Sequence, residues 1–249
     1  MKVLLRWLVL LAVAVLALQL FFVVRIAAMA RLDPQSTAFQ RSEALRLQRE
    51  KGRLPWRQHW VPYARISDTL KRAVIVSEDD GFSNHDGVDW DALEKAWQKN
   101  SRAEAQAAKA QASRKPAAGS KPVPRAPKVV GGSTITQQLA KNLFLSGERT
   151  LLRKGQEFVL TLLLEALLDK QRILEIYLNS VEWGEGVFGA EAAAQHYFRK
   201  SASDLGAYEA ARLAVMLPRP KYFERLPNSS YLAERAQHIA GRLGGAELP

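Results

Sequence analysis

Two groups of residues in this sequence have types and spacing suited to chemistry. The first is Ser77-Glu78-Asp79-Asp80, followed by Phe82, His85, Gly87 and Asp89. The apolar residues before it (Ile66, Leu70, Ala73, Val74 and Val76) recur at helical intervals, so Glu78 falls at the end of an apolar helix. A carboxylate delivered from there into a cleft can serve as a general base. The same run also has the composition of solvated loop charges. It could also recruit a divalent cation, Mg or Mn, through Asp79 and Asp80, but adjacent carboxylates point in different directions and rarely share one ion, so no metal ligand is assigned.

The second group is cationic: Lys141, Arg149, Arg153 and Lys154, with Glu157 continuing the face that Arg149 and Arg153 share. The plain reading is a surface charge ladder worth a few tenths of a kcal/mol per pair. The sharper one adds Gly131-Gly132-Ser133-Thr134, which opens a helix and offers free backbone N–H groups. Arginine forks and such N–H groups both suit phosphate oxygens, and together they would hold a pyrophosphate. There is no Walker A loop.

The elements that must position these groups are helical. Thr134 and Gln137 have capping-box spacing, which predicts a helix from there to about Phe144 carrying Gln137, Gln138 and Lys141. Thr150 to Leu178 holds almost no breaker except Gly155. Its centre, 158–168, is apolar nearly all round and reads as the central buried helix, in which Glu165 needs a partner. Residues 179–189 form an irregular, glycine-containing connection. Residues 190–198 and 205–217 are helical again, and Pro218 and Pro220 stop the second. No segment alternates like a sustained strand, so the fold class is mainly α.

The N-terminus is different in kind. Eighteen residues, Trp7 to Val24, contain one polar side chain, Gln19, between Arg6 and Arg25. As a helix they cover about 27 Å, close to a bilayer's hydrocarbon core. This predicts a single-pass anchor over 1–30, N-inside and C-outside. A cleaved signal peptide ending at Ala28-Met29-Ala30 is the competing reading, but the apolar run exceeds an ordinary signal core. Residues 31–59 read as a juxtamembrane stalk, 60–225 as the catalytic domain and 226–249 as a C-terminal tail.

The chain has 249 residues, no cysteine, 47% apolar residues and a net charge of +11. Disulfides, thiolate metal sites and a cysteine nucleophile are thereby excluded. Residues 100–128 hold seven cations against one anion and almost no large apolar side chain, so they read as a mobile basic insertion. Over half the excess charge sits there, which leaves little support for a nucleic-acid partner.

The ordered motifs make the resemblance specific. Ser77-Glu78-Asp79 with Phe82, His85, Gly87 and Asp89 resembles the first motif of the peptidoglycan glycosyltransferases, the transglycosylase modules of class A penicillin-binding proteins and their single-domain relatives. Gly131 to Asn142 resembles the second motif, and Arg153-Lys154-x-x-Glu157 the third. Tyr177-Leu178-Asn179 with Gly184, Gly189, Ala193, Tyr197 and Phe198 resembles the fourth, and Glu209 to Pro218 the fifth. A chain ending at Pro249 leaves no room for a transpeptidase domain and is similar to the monofunctional biosynthetic transglycosylases.

The resemblance implies a lysozyme-like bundle that polymerises lipid II, an undecaprenyl-pyrophosphoryl disaccharide-pentapeptide, into β-1,4 strands with inversion. By it, Glu78 is the general base and Glu157 the second acidic residue. Lys141, Arg149, Arg153 and Lys154 hold the pyrophosphate, and Ser133 and Gln137 lie near the substrate. No cofactor is required. Partners would be lipid II, the growing strand, membrane lipids and proteins of cell-wall synthesis or division. The place would be the bacterial inner membrane, with the catalytic domain on the periplasmic side. Two departures stand out: the long 100–128 segment, and Val181-Glu182-Trp183-Gly184-Glu185-Gly186, which is more acidic than the usual aromatic form. A membrane-anchored lytic enzyme and a non-catalytic cell-wall scaffold are the rival readings.

Overall fold

The computed structural model describes residues 1–112, 132–145, 147–148 and 150–249, with side chains for all of these but 108–112. Among them, ten α-helices and three short strands form one body behind a long N-terminal helix. That helix, α1 (Lys2–Met29), is long and apolar enough to cross a membrane. The soluble helices that follow are α2 (Ala38–Lys51), α3 (Asp68–Glu78), α4 (Trp90–Ala112), α5 (Ile135–Phe144) and α6 (Leu151–Leu167). Then come α7 (Lys170–Ser180), α8 (Ala190–Phe198), α9 (Ala207–Met216), α10 (Pro220–Glu224) and α11 (Ser230–Ala240). The mainly α expectation holds.

Helix starts follow local chemistry. Thr37, Ser67, Thr134, Thr150 and Asp169 each accept an N–H from three residues on, a cap worth about 1 kcal/mol. In α2 and α5, Gln40 and Gln137 return a bond to the cap's own N–H, completing capping boxes. The Asp169 cap divides the expected 150–178 run: α6 ends at Leu167 and α7 starts at Lys170.

The core lies where α3, α9 and α11 pack on one side and α5, α6 and α7 on the other, with Leu70, Leu139, Leu164, Leu174, Tyr177 and Leu213 fully enclosed. Three expectations give way here. The centre of α6 is not apolar because it is buried all round. Leu160 and Leu164 face the core, while Phe158, Val159 and Leu162 are about 40% exposed, beside the exposed Leu151 and Leu152. Residues 31–59 are not a free stalk. α2 packs on α5, Leu47 is fully buried, Gln40 donates to Ser180 O at 3.2 Å, and Trp56 stacks on Phe188. Residues 226–249 are not a tail, because α11 buries Leu232, Ala236 and Ile239 against α3 and α9. In each case a few buried positions in a polar segment do the docking, and such sparse signals escape a periodicity reading.

The basic segment is divided. Its first residues continue α4 to Ala112, and 113–128 lie outside the described residues. The irregular 179–189 connection contains β2 (Glu182–Gly184) and β3 (Val187–Phe188). β3 pairs antiparallel with β2 and parallel with β1 (Arg57–Gln58). Strands of two or three residues are too short to alternate legibly. The little sheet fixes the segment after α2 to the domain, where Arg57 N donates to Gly186 O at 2.8 Å.

The anchor also touches the domain. Gln19 and Gln156 of α6 exchange side-chain amide hydrogen bonds at 3.1 and 3.3 Å. Phe22 meets Phe144 edge-on at 5.3 Å, and Arg25 lies over the same Phe144 ring. Arg172 of α7 donates to Met29 O and Leu32 O and pairs with Asp33. The chain is therefore tied down as it leaves α1.

Candidate active site

α3 delivers Glu78 in its last turn and Asp79 just beyond. Asp79 is buried and structural: Oδ1 accepts from His85 Nε2 at 2.8 Å, and Oδ2 accepts from Ile135 N at 2.9 Å, at the start of α5. A carboxylate is favoured at a helix N-terminus, so the contact also suits the helix dipole. His85 Nδ1 accepts from Gly87 N at 3.1 Å, and Thr134 Oγ1 donates to Gly87 O at 2.7 Å. Gly87 has φ +84, and a Cβ there would meet Glu165 Cγ and Thr161 Cγ2 at 2.8 Å. The first motif is thus latched to α5 and α6. Glu165 has its partners in Thr136 Oγ1 at 2.5 Å and Lys170 Nζ at 2.9 Å. Asp80 is exposed and pairs with Arg242. Among the described residues no three His, Asp or Glu side chains gather as a metal site.

Glu78 is half-buried, and its Oε2 accepts from Gln138 Nε2 at 2.9 Å. Gln138 Oε1 in turn accepts from the Tyr177 hydroxyl at 3.0 Å. Tyr177 is fully buried, which holds its hydroxyl protonated well above the usual phenol value. A fixed O–H donor on one end of the amide leaves its N–H2 end for Glu78. Burial raises the Glu78 carboxyl above its ordinary value, Gln138 opposes this, Asp79 adds to it and Lys141 opposes it. Raised carboxylates poised in a cleft suit general-base work.

Two cavities lie beside this network and share Ser133 in their linings. The larger, about 650 Å³, is lined by Ser133, Gln137, Gln138, Lys141, Arg153, Lys154 and Glu157 among others. The smaller, about 350 Å³, is lined by Glu78, Asp89, Lys95, Lys99 and again Ser133. In the larger cavity Glu157 is buried and takes Arg153 Nη1 at 2.8 Å and the Lys154 ammonium. Arg153 Nε is enclosed with no acceptor. Lys141 makes no ion pair with a described residue. Desolvation lowers its pKa, Glu157 opposes the shift, and the Arg153 and Lys154 charges add to it. Arg149 lies outside the described residues.

Of the residues named from the sequence, Ser133, Gln137, Lys141, Arg153, Lys154 and Glu157 line the larger cavity, and Glu78 lines the smaller one, which shares Ser133. The sequence reading did not foresee the wall that α2 contributes, where Phe39, Ser42 and Glu43 line the larger cavity with Glu182. The only signal was the Thr37-x-x-Gln40 capping box, which announces a helix but not its destination.

Residues 47–113 and 117–244 match the family model described as Transglycosylase. The chain belongs to the transglycosylase family. Among curated relatives, a Burkholderia thailandensis protein is 55% identical over 94% of this chain and 83% of its own length. A Herminiimonas arsenicoxydans protein is 50% identical over all of this chain and 99% of its own length, and one from Janthinobacterium sp. (strain Marseille) is 49% identical over the same shares. Each of the three is named biosynthetic peptidoglycan transglycosylase. The family match starts at residue 47, inside α2, and reaches 244, so membership covers both the expected stalk's end and most of the expected tail.

Proposed function

We propose that this protein is a membrane-anchored peptidoglycan glycosyltransferase. It polymerises lipid II into β-1,4 glycan strands, with inversion and release of undecaprenyl pyrophosphate. The observation that carries this reading is one half-buried carboxylate, Glu78 in the smaller cavity, hydrogen-bonded to Gln138, which lines the larger cavity together with Lys141, Arg153 and Lys154. The acceptor sugar enters the smaller cavity and its 4-hydroxyl gives its proton to Glu78. That oxygen attacks C1 of the donor sugar in the larger cavity. The bond from C1 to the pyrophosphate oxygen breaks, and its electron pair leaves on the pyrophosphate. Arg153, Lys154, Lys141 and Arg149 stabilise that charge, so no general acid is needed. Glu157 orients Arg153 and Lys154. No cofactor takes part in these steps, and a divalent cation would act only as a further counter-ion to the pyrophosphate.

The apolar α1 and the exposed Leu151, Leu152, Phe158, Val159 and Leu162 of α6 support a domain that rests on the bilayer and takes a lipid-linked substrate from it. The domain would face the periplasmic side of the inner membrane. The test is polymerisation of labelled lipid II by the full chain in detergent. Wild type yields long muramidase-sensitive strands, and Glu78→Gln lowers the rate by about 10²–10⁴-fold. Shortening of supplied polymer without synthesis would establish a lytic enzyme instead, and neither activity would leave a scaffold.

A further inference from the structure

Asp80, the third carboxylate of the Glu78-Asp79-Asp80 run, has no part in the steps above. Adjacent side chains leave the backbone in different directions, and here each of the three has its own destination. Glu78 lines the smaller cavity and meets Gln138. Asp79 turns inward to His85 and Ile135 N. Asp80, at the exposed rim of the same cavity, accepts from Arg242 Nη2 at 2.8 Å.

Arg242 lies just past α11. Beyond it the chain makes a tight turn, Leu243–Gly245, that packs on α3. Leu243 and Ala246 are buried, and Leu248 packs half-buried against the core. Two carbonyls of this segment accept from α3 and from the loop after it. Ala246 O takes the Arg72 guanidinium, and Glu247 O takes Ser83 Oγ at 3.0 Å. Arg72, Asp80 and Ser83 bracket Glu78 along the chain.

Glu78 is the last residue of α3, where helices fray unless something outside them holds the end. An isolated exposed ion pair would do little, because solvent screens it and two long side chains lose freedom to make it. The Asp80–Arg242 pair is not isolated. Its arginine directly precedes a buried leucine, and the Arg72 and Ser83 bonds fix the same segment. Groups already ordered lose less entropy on meeting. The loop after Glu78 is thus tied to α5 through Asp79 and to the segment after α11 through Asp80.

We infer that residues 242–248 form a clamp on the loop that follows Glu78, and that Arg242 is a positioning residue for that carboxylate. This rests on the reading of Glu78 as the general base. The clamp touches no reacting atom. It acts through Asp80 and Ser83, holding the carboxylate at the distance and angle that proton abstraction needs, where a misplacement of about 1 Å is costly.

The test uses the full chain with Arg242→Ala, Arg242→Lys, Asp80→Asn and the double variant Asp80→Asn with Arg242→Ala. It reads kcat and KM on lipid II, Tm, and hydrogen exchange of the 79–84 amides by mass spectrometry. With the clamp in place as inferred, Arg242→Ala lowers kcat about five- to tenfold and leaves KM within about twofold. Exchange across 79–84 speeds up while the rest of the domain keeps its protection. Tm moves by no more than about 4 °C, because the lost pair is exposed. Arg242→Lys recovers most of the rate, and the double variant loses no more than Arg242→Ala alone, since the two side chains act as a unit. Unchanged kcat or unchanged exchange in Arg242→Ala would overturn the clamp. So would a much larger loss in Asp80→Asn than in Arg242→Ala, which would put Asp80 on the acceptor itself. If wild type polymerises nothing, the glycosyltransferase reading fails on its own account, and exchange at 79–84 still decides whether the segment holds the loop.

Discussion

In the proposed role of general base, Glu78 acts only when ionised, and its neighbours set the pH at which that happens. Burial raises its pKa and the Gln138 amide lowers it. The rate should therefore climb with pH through a range above the usual carboxylate value and then level. Gln138→Leu removes a bond that favours the ionised form, so the climbing limb should move to higher pH. A pH profile of strand synthesis by wild type and variant checks the direction, and an unmoved limb would mean the amide does not tune the base. Glu182 gives a stability prediction of definite sign. Its folded pKa, about 7, lies above the ordinary 4.5. Its contribution to stability is complete below 4.5 and is lost as pH rises through about 7. Glu182→Gln should therefore gain in Tm over wild type as pH goes from 4 to 8, as read by thermal melts. At this scale the sequence was most legible where residue type dictates chemistry. The run Glu78-Asp79-Asp80 after an apolar helix and the clustered cations could be read as types without a fold, and the resemblance picked Glu78 out of the three. Glu43 could not, because on a polar helix nothing separates a carboxylate lining a cleft from one in water.

The elements carry the alignment between base and cations. α5 holds Gln138 and Lys141 and is itself fixed at its first turn by Thr134 and Asp79. Thr134→Val removes both the cap to Gln137 N and the bond to Gly87 O. Stability should fall by about 1–2 kcal/mol, with activity falling further as α5 loses its register to α3. Denaturant melts and the polymerisation assay, run on one preparation, separate the two effects. Gly186 tests the α2 attachment. It has φ +74, and a Cβ there would sit 1.8 Å from Pro55 O, so Gly186→Ala should destabilise by on the order of 2–4 kcal/mol. The α5 capping box was legible because two residues three apart carry it. The break at Asp169 is a cap of the same kind, yet no Gly or Pro accompanies Asp169-Lys170-Gln171-Arg172 to mark a stop. The place of α2 was illegible because it depends on Leu47 and Gln40 meeting a surface made by residues far along the chain.

At the scale of the whole molecule, anchor and domain form one piece. The only polar side chain in the apolar run, Gln19, is matched by Gln156, and an amide pair in hydrocarbon satisfies donors that lipid cannot. The exposed apolar face of α6 continues on the same side. Leu151→Glu with Leu152→Glu should leave synthesis in detergent within about twofold while reducing it several-fold in liposomes, since charge there opposes bilayer contact. Equal rates in both media would show that the face does not touch lipid.

The docking of α2 has a practical corollary for anyone trimming this protein to a soluble form. The motifs invite a cut near residue 60, where the recognisable sequence begins. That cut would discard Phe39, Glu43 and Leu47, open the larger cavity along one side and strip β1 from β3. A preparation starting there would misreport the enzyme, whereas one starting at Ser36 keeps the Thr37 cap and the whole wall.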